Sequence, residues 1–96
     1  MRLTSDEARS IKRTFVEIFG EGEIYLFGSR VDPYARGGDI DLYLSPRTKE
    51  ENLREKKIAF LAMLDTRIGE QKIDAVLATD PDRLIEREAL RYGVKL

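Results

Sequence analysis

The chain has 96 residues, and because chains usually divide only at roughly 150 residues or more, this length predicts a single domain over residues 1–96. Its 17 basic and 18 acidic residues leave a formal net charge of −1, which excludes a global positive field and disfavours nucleic acid as a partner. The complete absence of cysteine and histidine excludes disulfides, thiol nucleophiles, Cys/His zinc sites and catalytic histidine.

The first predicted element is an amphipathic helix over about residues 5–19. Thr4 followed by Glu7 is a capping-box pattern, which is typical of a helix start, and Gly20 ends the apolar periodicity. The apolar residues at helical spacing are Ala8, Ile11, Phe15, Ile18 and Phe19. The next apolar run, over residues 24–27, is short and apolar on both faces, which predicts a covered strand.

A turn-rich stretch over residues 28–38 leads into a second strand, predicted over residues 39–44. Asp39, Asp41 and Tyr43 alternate there with apolar residues. Since successive side chains of a strand point to opposite faces, the pattern predicts an acidic face opposite an apolar one.

A long helix and a third strand are predicted next. Thr48 and Glu51 form a second capping-box pattern, and this helix stops before Gly69. The apolar residues expected on its buried side are Ile58, Leu61, Leu64 and Ile68. The third strand is predicted over residues 72–77, with Asp74 on the face opposite the inward apolar residues.

The last helix is predicted to begin at Pro81 with Asp80 as its cap, and to end near Tyr92 before Gly93. Residues 94–96 are predicted as a short terminal edge strand. An arginine stripe lies along the helix at positions 83, 87 and 91, with Glu86 and Glu88 able to satisfy it. We interpret the stripe as a solvated face, with a docking surface for an acidic partner as the alternative.

The order helix, strand, strand, helix, strand, helix predicts an α/β (α+β) fold with a small mixed sheet and helices on one main face. A crossover of about 25 residues permits the second and third strands to lie parallel, whereas the short link between the first two suits antiparallel pairing. In this arrangement Asp74 lies close to Asp39 and Asp41. No apolar run approaches the roughly 18 residues that span a membrane, and no secretory signal is recognisable, so we expect a cytoplasmic protein.

Two neighbouring motifs predict a site for a nucleoside triphosphate and metal. The spacing of Asp39 and Asp41 suits two Mg²⁺ ions roughly 3.5–4 Å apart. Gly28 lets the backbone approach a phosphate, and amides following Ser29, with its hydroxyl, can donate to phosphate oxygens. Arg30 is a candidate contact to the triphosphate, with a solvated charge as an equal alternative. The loop lacks the ending of a Walker A motif.

The chain resembles, over most of its length, the minimal nucleotidyltransferase (MNT) branch of the DNA polymerase beta-like superfamily. The matching segments are Leu26-Phe27-Gly28-Ser29-Arg30-Val31, Gly37-Gly38-Asp39-Ile40-Asp41-Leu42 and Lys72-Ile73-Asp74-Ala75-Val76. The resemblance implies that Asp39 and Asp41 hold the Mg²⁺ ions that bridge the triphosphate, while Gly28 and Ser29 contact its phosphates. It also implies that Asp74 holds the catalytic metal and helps deprotonate an acceptor hydroxyl.

The function implied by this resemblance is transfer of a nucleoside monophosphate, AMP from ATP, to a hydroxyl of a partner protein or small molecule. The family commonly pairs with a small helical HEPN protein, for which the MNT member acts as antitoxin. The alternative is a non-catalytic subunit that neutralises its partner by contact. An isolated aminoglycoside-type transferase is a third, weaker hypothesis, and association of the chain with further copies of itself stays open.

Overall fold

The computed structural model describes residues 3–32, 34, 38–48 and 51–96, which form three α-helices and four strands. The elements are α1 (Ser5–Phe19), β1 (Gly22–Phe27), a 3₁₀ turn (Gly28–Val31), β2 (Ile40–Pro46), α2 (Leu53–Ile68), β3 (Ile73–Leu77), α3 (Leu84–Tyr92) and β4 (Val94–Lys95). The predicted order is confirmed, including the terminal strand. Gly37, which belongs to one matching segment, lies outside the described residues.

The first helix begins and ends where its local sequence predicts. The Glu7 amide donates to Thr4 Oγ1 at 3.0 Å, and the Thr4 amide donates to the Glu7 carboxylate at 2.9 Å, so the capping box is complete. At the other end Gly20 adopts a φ of 80°, and its amide donates to the Val16 carbonyl at 2.9 Å. Both ends are therefore satisfied by residues of the helix itself or its immediate neighbours.

The sheet has the strand order β3-β2-β1-β4. β1 pairs antiparallel with both β2 and β4, whereas β2 and β3 are parallel and connected through α2. Both predicted pairings are confirmed. β1 and β2 are the central strands of the sheet.

The main hydrophobic core lies between one face of the sheet and the two longer helices, α1 and α2. Three aromatic rings of these helices pack against one another, with centroid separations of 5.2 Å for Phe15 and Phe19 and 6.5 Å for Phe15 and Phe60. The buried core residues are Ile11, Phe15, Phe19, Ile24, Leu26, Ile40, Leu42, Leu44, Phe60, Leu64 and Ala75. The predicted placement of helices on one main face is thus confirmed for the two longer helices.

A second, smaller cluster lies on the opposite face of the sheet, under α3. It consists of Phe27 of β1, Tyr43 of β2 and Ala89 of α3, which are all buried. This is the face to which Asp41 points, because Asp41 and Tyr43 are two residues apart on one strand. The site and α3 therefore share a face of the sheet.

The second helix departs from its prediction at two places. It begins at Leu53 rather than after the capping-box pattern at Thr48, and its N-cap residue Asn52 makes no side-chain capping bond. Ile58, predicted to be buried, is 67% exposed, while Phe60 is fully buried. Residues two apart on a helix point to nearly opposite sides, so only one of these two apolar side chains can face the sheet.

The third helix begins three residues later than predicted, at Leu84 rather than Pro81. Instead of capping a helix, Asp80 closes a turn, because its carboxylate accepts the Asp82 amide at 2.9 Å and its carbonyl accepts the Arg83 amide at 3.0 Å. The predicted end at Tyr92 is confirmed. Within the described part of the chain, every helix is too short or too polar to cross a membrane.

Candidate active site

Asp41 and Asp74 are direct neighbours across the parallel strand pair. Asp41 of β2 is the register partner of Asp74 of β3, so both side chains leave the same face of the sheet. On the other side of β2, Asp41 is paired with Phe27, the last residue of β1. The structure therefore brings together two predicted acids that are 33 positions apart in the sequence and places them beside the turn that follows β1.

That turn contacts Asp41 through Gly28. Gly28 has a φ of +75°, a conformation that favours glycine, and a Cβ atom built there would lie 2.4 Å from Asp41 Oδ2. Because glycine has no Cβ atom, the Asp41 carboxylate can occupy this space. Gly28 thus has a structural role beside Asp41. Its predicted role in letting a phosphate approach the backbone stays a prediction.

Asp39 lies one residue before β2 and is paired with a lysine. Its Oδ2 atom is 3.4 Å from Lys72 Nζ, and the Ile40 amide donates to the Lys72 carbonyl at 3.0 Å, so the chain segments entering β2 and β3 are held side by side. The Asp39 side chain is 39% exposed and that of Lys72 is 74% exposed. The site thus contains a cation beside its acids.

The electrostatic environment of Asp41 is acidic. Burial raises the pKa of this carboxyl above its ordinary value, and the negative charges of Asp74, Asp39 and Glu88 raise it further, while Lys72 lowers it. Ionised Asp41 is consequently less stable in the folded chain than in water. A bound cation would relieve this repulsion, which is a property expected of a carboxylate that ligates metal.

Arg30 and Ser29 lie in the 3₁₀ turn next to Gly28. The Arg30 Nε group donates to the Gly38 carbonyl at 3.2 Å, so the arginine connects the turn after β1 to the residue that precedes Asp39. Ser29 is half-buried. All six predicted site residues therefore lie on three neighbouring segments at one end of the sheet.

These residues do not form a preformed metal cage. Among the described residues, no group of three or more acidic side chains is arranged to hold a metal ion. Mg²⁺ is, however, usually bound through one or two carboxylates, waters and substrate phosphates rather than by protein ligands alone. The oxygen donors of Asp39, Asp41 and Asp74 fit a metal of that kind, which would arrive with a triphosphate.

A buried carboxylate next to this site was not predicted. Glu86 of α3 is 0% exposed, and its carboxylate accepts hydrogen bonds from Tyr43 Oη at 2.8 Å, from the Thr79 amide and hydroxyl, and from the Asp80 amide at 3.0 Å. The Arg83 guanidinium is 2.9 Å away. Burial raises the pKa of Glu86, but these hydrogen bonds outweigh burial and leave the pKa below its ordinary value. Glu86 thus pairs with Arg83 of the arginine stripe, as the sequence allowed, but it does so from a buried position that was not predicted.

Glu86 and Glu88 were missed as neighbours of the site. The two glutamates are two residues apart on a charged helix, where charged residues are ordinary. Their proximity follows from the way α3 packs over Phe27 and Tyr43, which local sequence does not reveal.

Comparison of the chain with protein-family models gives no match, and comparison with curated proteins gives no significant match either. The resemblance to the minimal nucleotidyltransferases therefore rests on the residues themselves and stays a prediction.

Proposed function

We propose that the chain is a metal-dependent nucleotidyltransferase of the minimal type, which transfers a nucleoside monophosphate, AMP from ATP, to a hydroxyl group of a partner. The observation that supports this proposal most directly is the pairing of Asp41 with Asp74 beside the Gly28 turn. It combines two carboxylates on one face with a glycine turn, as a site for metal and triphosphate requires.

In the proposed reaction an acceptor hydroxyl oxygen attacks the α-phosphorus of the triphosphate. A new oxygen–phosphorus bond forms, the bond to the β-phosphate oxygen breaks, and pyrophosphate leaves. Asp74, whose side chain is exposed at the edge of the sheet, receives the hydroxyl proton. Backbone amides of the turn at Ser29 and Arg30 hold the phosphates, and the link from Arg30 to Gly38 keeps the turn beside Asp39.

Magnesium is the cofactor of this proposal, and Asp39, Asp41 and Asp74 would hold two ions. When bound, these ions would supply neutralisation of the triphosphate charge and activation of the acceptor hydroxyl. Lys72 would have to leave Asp39 as a cation approaches, since both compete for the same carboxylate. The partner in this proposal is a small helical protein of the HEPN type, encoded beside this chain as its toxin.

The alternative function, neutralisation of a partner by contact without catalysis, is favoured by one observation. In the described residues the acids do not converge into a metal-holding group, and Lys72 already pairs with Asp39. A subunit that acts only by contact would not need its acids to converge on a metal ion.

Binding of Mg²⁺ and ATP separates the two functions. We expect isothermal titration to detect binding of ATP in the presence of Mg²⁺, and Asp41→Asn to weaken it by about tenfold or more, since even outer-shell changes at metal sites cost 10–100-fold. Asp65→Asn is the matched control, because Asp65 is exposed on α2, whose helix covers the other face of the sheet.

Transfer itself is measured with ATP labelled at the α-phosphate, incubated with this chain and the protein encoded by the neighbouring reading frame. Label on that protein, lost with Asp39→Asn and Asp41→Asn but kept with Asp65→Asn, is the expected result. Absence of Mg²⁺–ATP binding to a folded wild-type chain would overturn the transferase proposal. Neutralisation of the partner that survives both site substitutions would favour contact.

A further inference from the structure

Lys72 places a positive charge among the proposed metal ligands. Its Nζ atom is 3.4 Å from Asp39 Oδ2, and its carbonyl accepts the Ile40 amide at 3.0 Å, so its backbone is fixed beside the start of β2. Lys72 precedes Asp74 by two residues, and the two-residue period of a strand puts both side chains on the face that carries Asp41. The lysine therefore belongs to the same surface as the three acids.

The charge of Lys72 also acts beyond its ion-pair partner. Burial raises the pKa of Asp41, and neighbouring acids raise it further, whereas Lys72 lowers it. Among the described residues, the acids do not form a metal-holding group of three, and Asp39 is already paired. Lys72 thus supplies positive charge to this acidic surface and competes with a metal ion for the Asp39 carboxylate.

The ion pair is weak enough to exchange. Lys72 is 74% exposed and Asp39 39% exposed, and ion pairs between exposed side chains contribute little stability. The lysine side chain is long and flexible, so its ammonium group can leave Asp39 without movement of the backbone. Displacement by a free metal ion would give this ammonium group no new partner. A metal–triphosphate complex, in contrast, brings phosphate oxygens with which the ammonium group can pair.

We propose that Lys72 is a specificity-determining residue that makes the site selective for a metal–nucleoside triphosphate complex over the free metal ion. In the chain without ligand, Lys72 pairs with Asp39 and opposes binding of free metal. When the complex binds, Asp39 exchanges the ammonium group for the metal, and Lys72 pairs with phosphate oxygens. This inference rests on the proposed function, because it takes Asp39 and Asp41 as metal ligands.

Two binding measurements on the same variant test this selectivity. Electron paramagnetic resonance measures the affinity for free Mn²⁺, a paramagnetic substitute for Mg²⁺, and isothermal titration measures the affinity for the Mn²⁺–ATP complex. We expect Lys72→Met to bind free Mn²⁺ about two- to fivefold more tightly than the wild type, the factor that corresponds to the loss of an exposed ion pair. It should bind Mn²⁺–ATP less tightly by a similar factor, because a phosphate contact is lost. A general loss of structure would weaken both.

Two further variants control for charge and for position. Lys72→Arg keeps the positive charge and should stay close to the wild type in both affinities. Lys95→Met is the matched control, because Lys95 is an exposed strand lysine that pairs with Glu23 at 3.9 Å on the opposite edge of the sheet. It should change neither affinity. Circular dichroism checks that each variant is folded.

The outcomes separate this inference from the proposed function. A wild type that binds Mn²⁺–ATP, together with Lys72→Met that binds free Mn²⁺ no more tightly, would overturn the inference alone. Tighter binding of both ligands by Lys72→Met would also overturn it, since Lys72 would then oppose the complex as well as the free ion. A folded wild type that binds neither Mn²⁺ nor Mn²⁺–ATP would overturn the proposed function and this inference together.

Discussion

At the scale of single residues, Glu86 shows how a charged side chain can be part of a core. It is the only fully buried acid among the described residues, and backbone amides, two hydroxyls and a guanidinium surround its carboxylate. Because every one of these donors would lose its partner together with the carboxylate, Glu86 holds α3 to the strands below it. The position of α3, and with it that of Glu88 near Asp41, depends on this residue.

Replacing Glu86 with alanine should lower the free energy of unfolding by about 3 kcal/mol, because it leaves the buried Tyr43 hydroxyl and the part-buried amides of Thr79 and Asp80 without their acceptor. Urea denaturation followed by circular dichroism measures the loss. Glu88→Ala removes the same side chain from an exposed position of the same helix and should change stability by less than about 0.5 kcal/mol. Equal losses in the two variants would contradict this role for Glu86.

The contribution of Glu86 to stability should depend on pH in a direction that follows from its pKa. Since the folded state lowers the pKa of Glu86, its ionised form stabilises the fold, and this contribution is complete above the ordinary value of 4.5. The stability difference between the wild type and Glu86→Gln should therefore shrink as the pH falls below 4.5 and through the folded-state pKa. A stability difference between the two proteins that stays constant down to about pH 3 would contradict this expected dependence.

At the scale of elements, two identical capping patterns have different outcomes. The pattern at Thr4 forms a complete capping box, whereas Thr48 lies two residues after the end of β2 and five residues before the start of α2. The Arg47 amide donates to the Glu21 carbonyl at 2.9 Å, and their side chains form an ion pair at 2.7 Å, which extends the β1–β2 pairing by one residue. A long-range contact has therefore delayed the helix start.

Thr4→Ala should consequently destabilise the protein by about 1 kcal/mol, the usual cost of losing an N-cap hydroxyl. Thr48→Ala is the matched control, because the same sequence pattern caps no helix there, and it should have almost no effect. Thermal unfolding followed by circular dichroism compares the two. Equal destabilisation would show that Thr48 caps a helix after all.

Interior positions of the elements were predicted with mixed success. Strand alternation assigned both faces of β3 correctly, since Ala75 is buried in the main core and Asp74 is exposed. In α2 the apolar pattern does not single out one buried side, because Ile58 and Phe60 lie on opposite sides of the helix. Packing against α1 is what buries Phe60. An element with one apolar stripe is thus predictable, and an element with two is not.

At the scale of the whole molecule, β4 closes the edge of the sheet beside β1. The pairs are Tyr25 with Lys95 and Leu26 with Val94, and the Leu96 amide donates to the Ile24 carbonyl at 2.9 Å. Leu96 also packs on the main core. These few residues cover the backbone groups of a central strand that would otherwise be open to another chain.

Deleting residues 94–96 should lower the free energy of unfolding by about 2–3 kcal/mol, from lost hydrogen bonds and the lost burial of Leu96. It should also cause concentration-dependent aggregation through the exposed edge of β1. Chemical denaturation and light scattering measure the two effects. Lys95→Ala, which keeps the backbone pairing, is the control and should stay close to the wild type, so aggregation of this control would assign the effect to the lysine instead.

The sequence by itself determined the element types, their order, the pairings among the first three strands and the choice of candidate site residues. Periodicity, the Thr4 cap and the link lengths are local properties, and Asp39, Asp41 and Gly28 lie close enough in the chain to be recognised together. Only the tertiary structure decided that Asp41 fills the space beside Gly28, that Lys72 pairs with Asp39, and that Glu86 is buried. Those features depend on packing and cross-strand register, which, rather than local pattern, select which side chains meet.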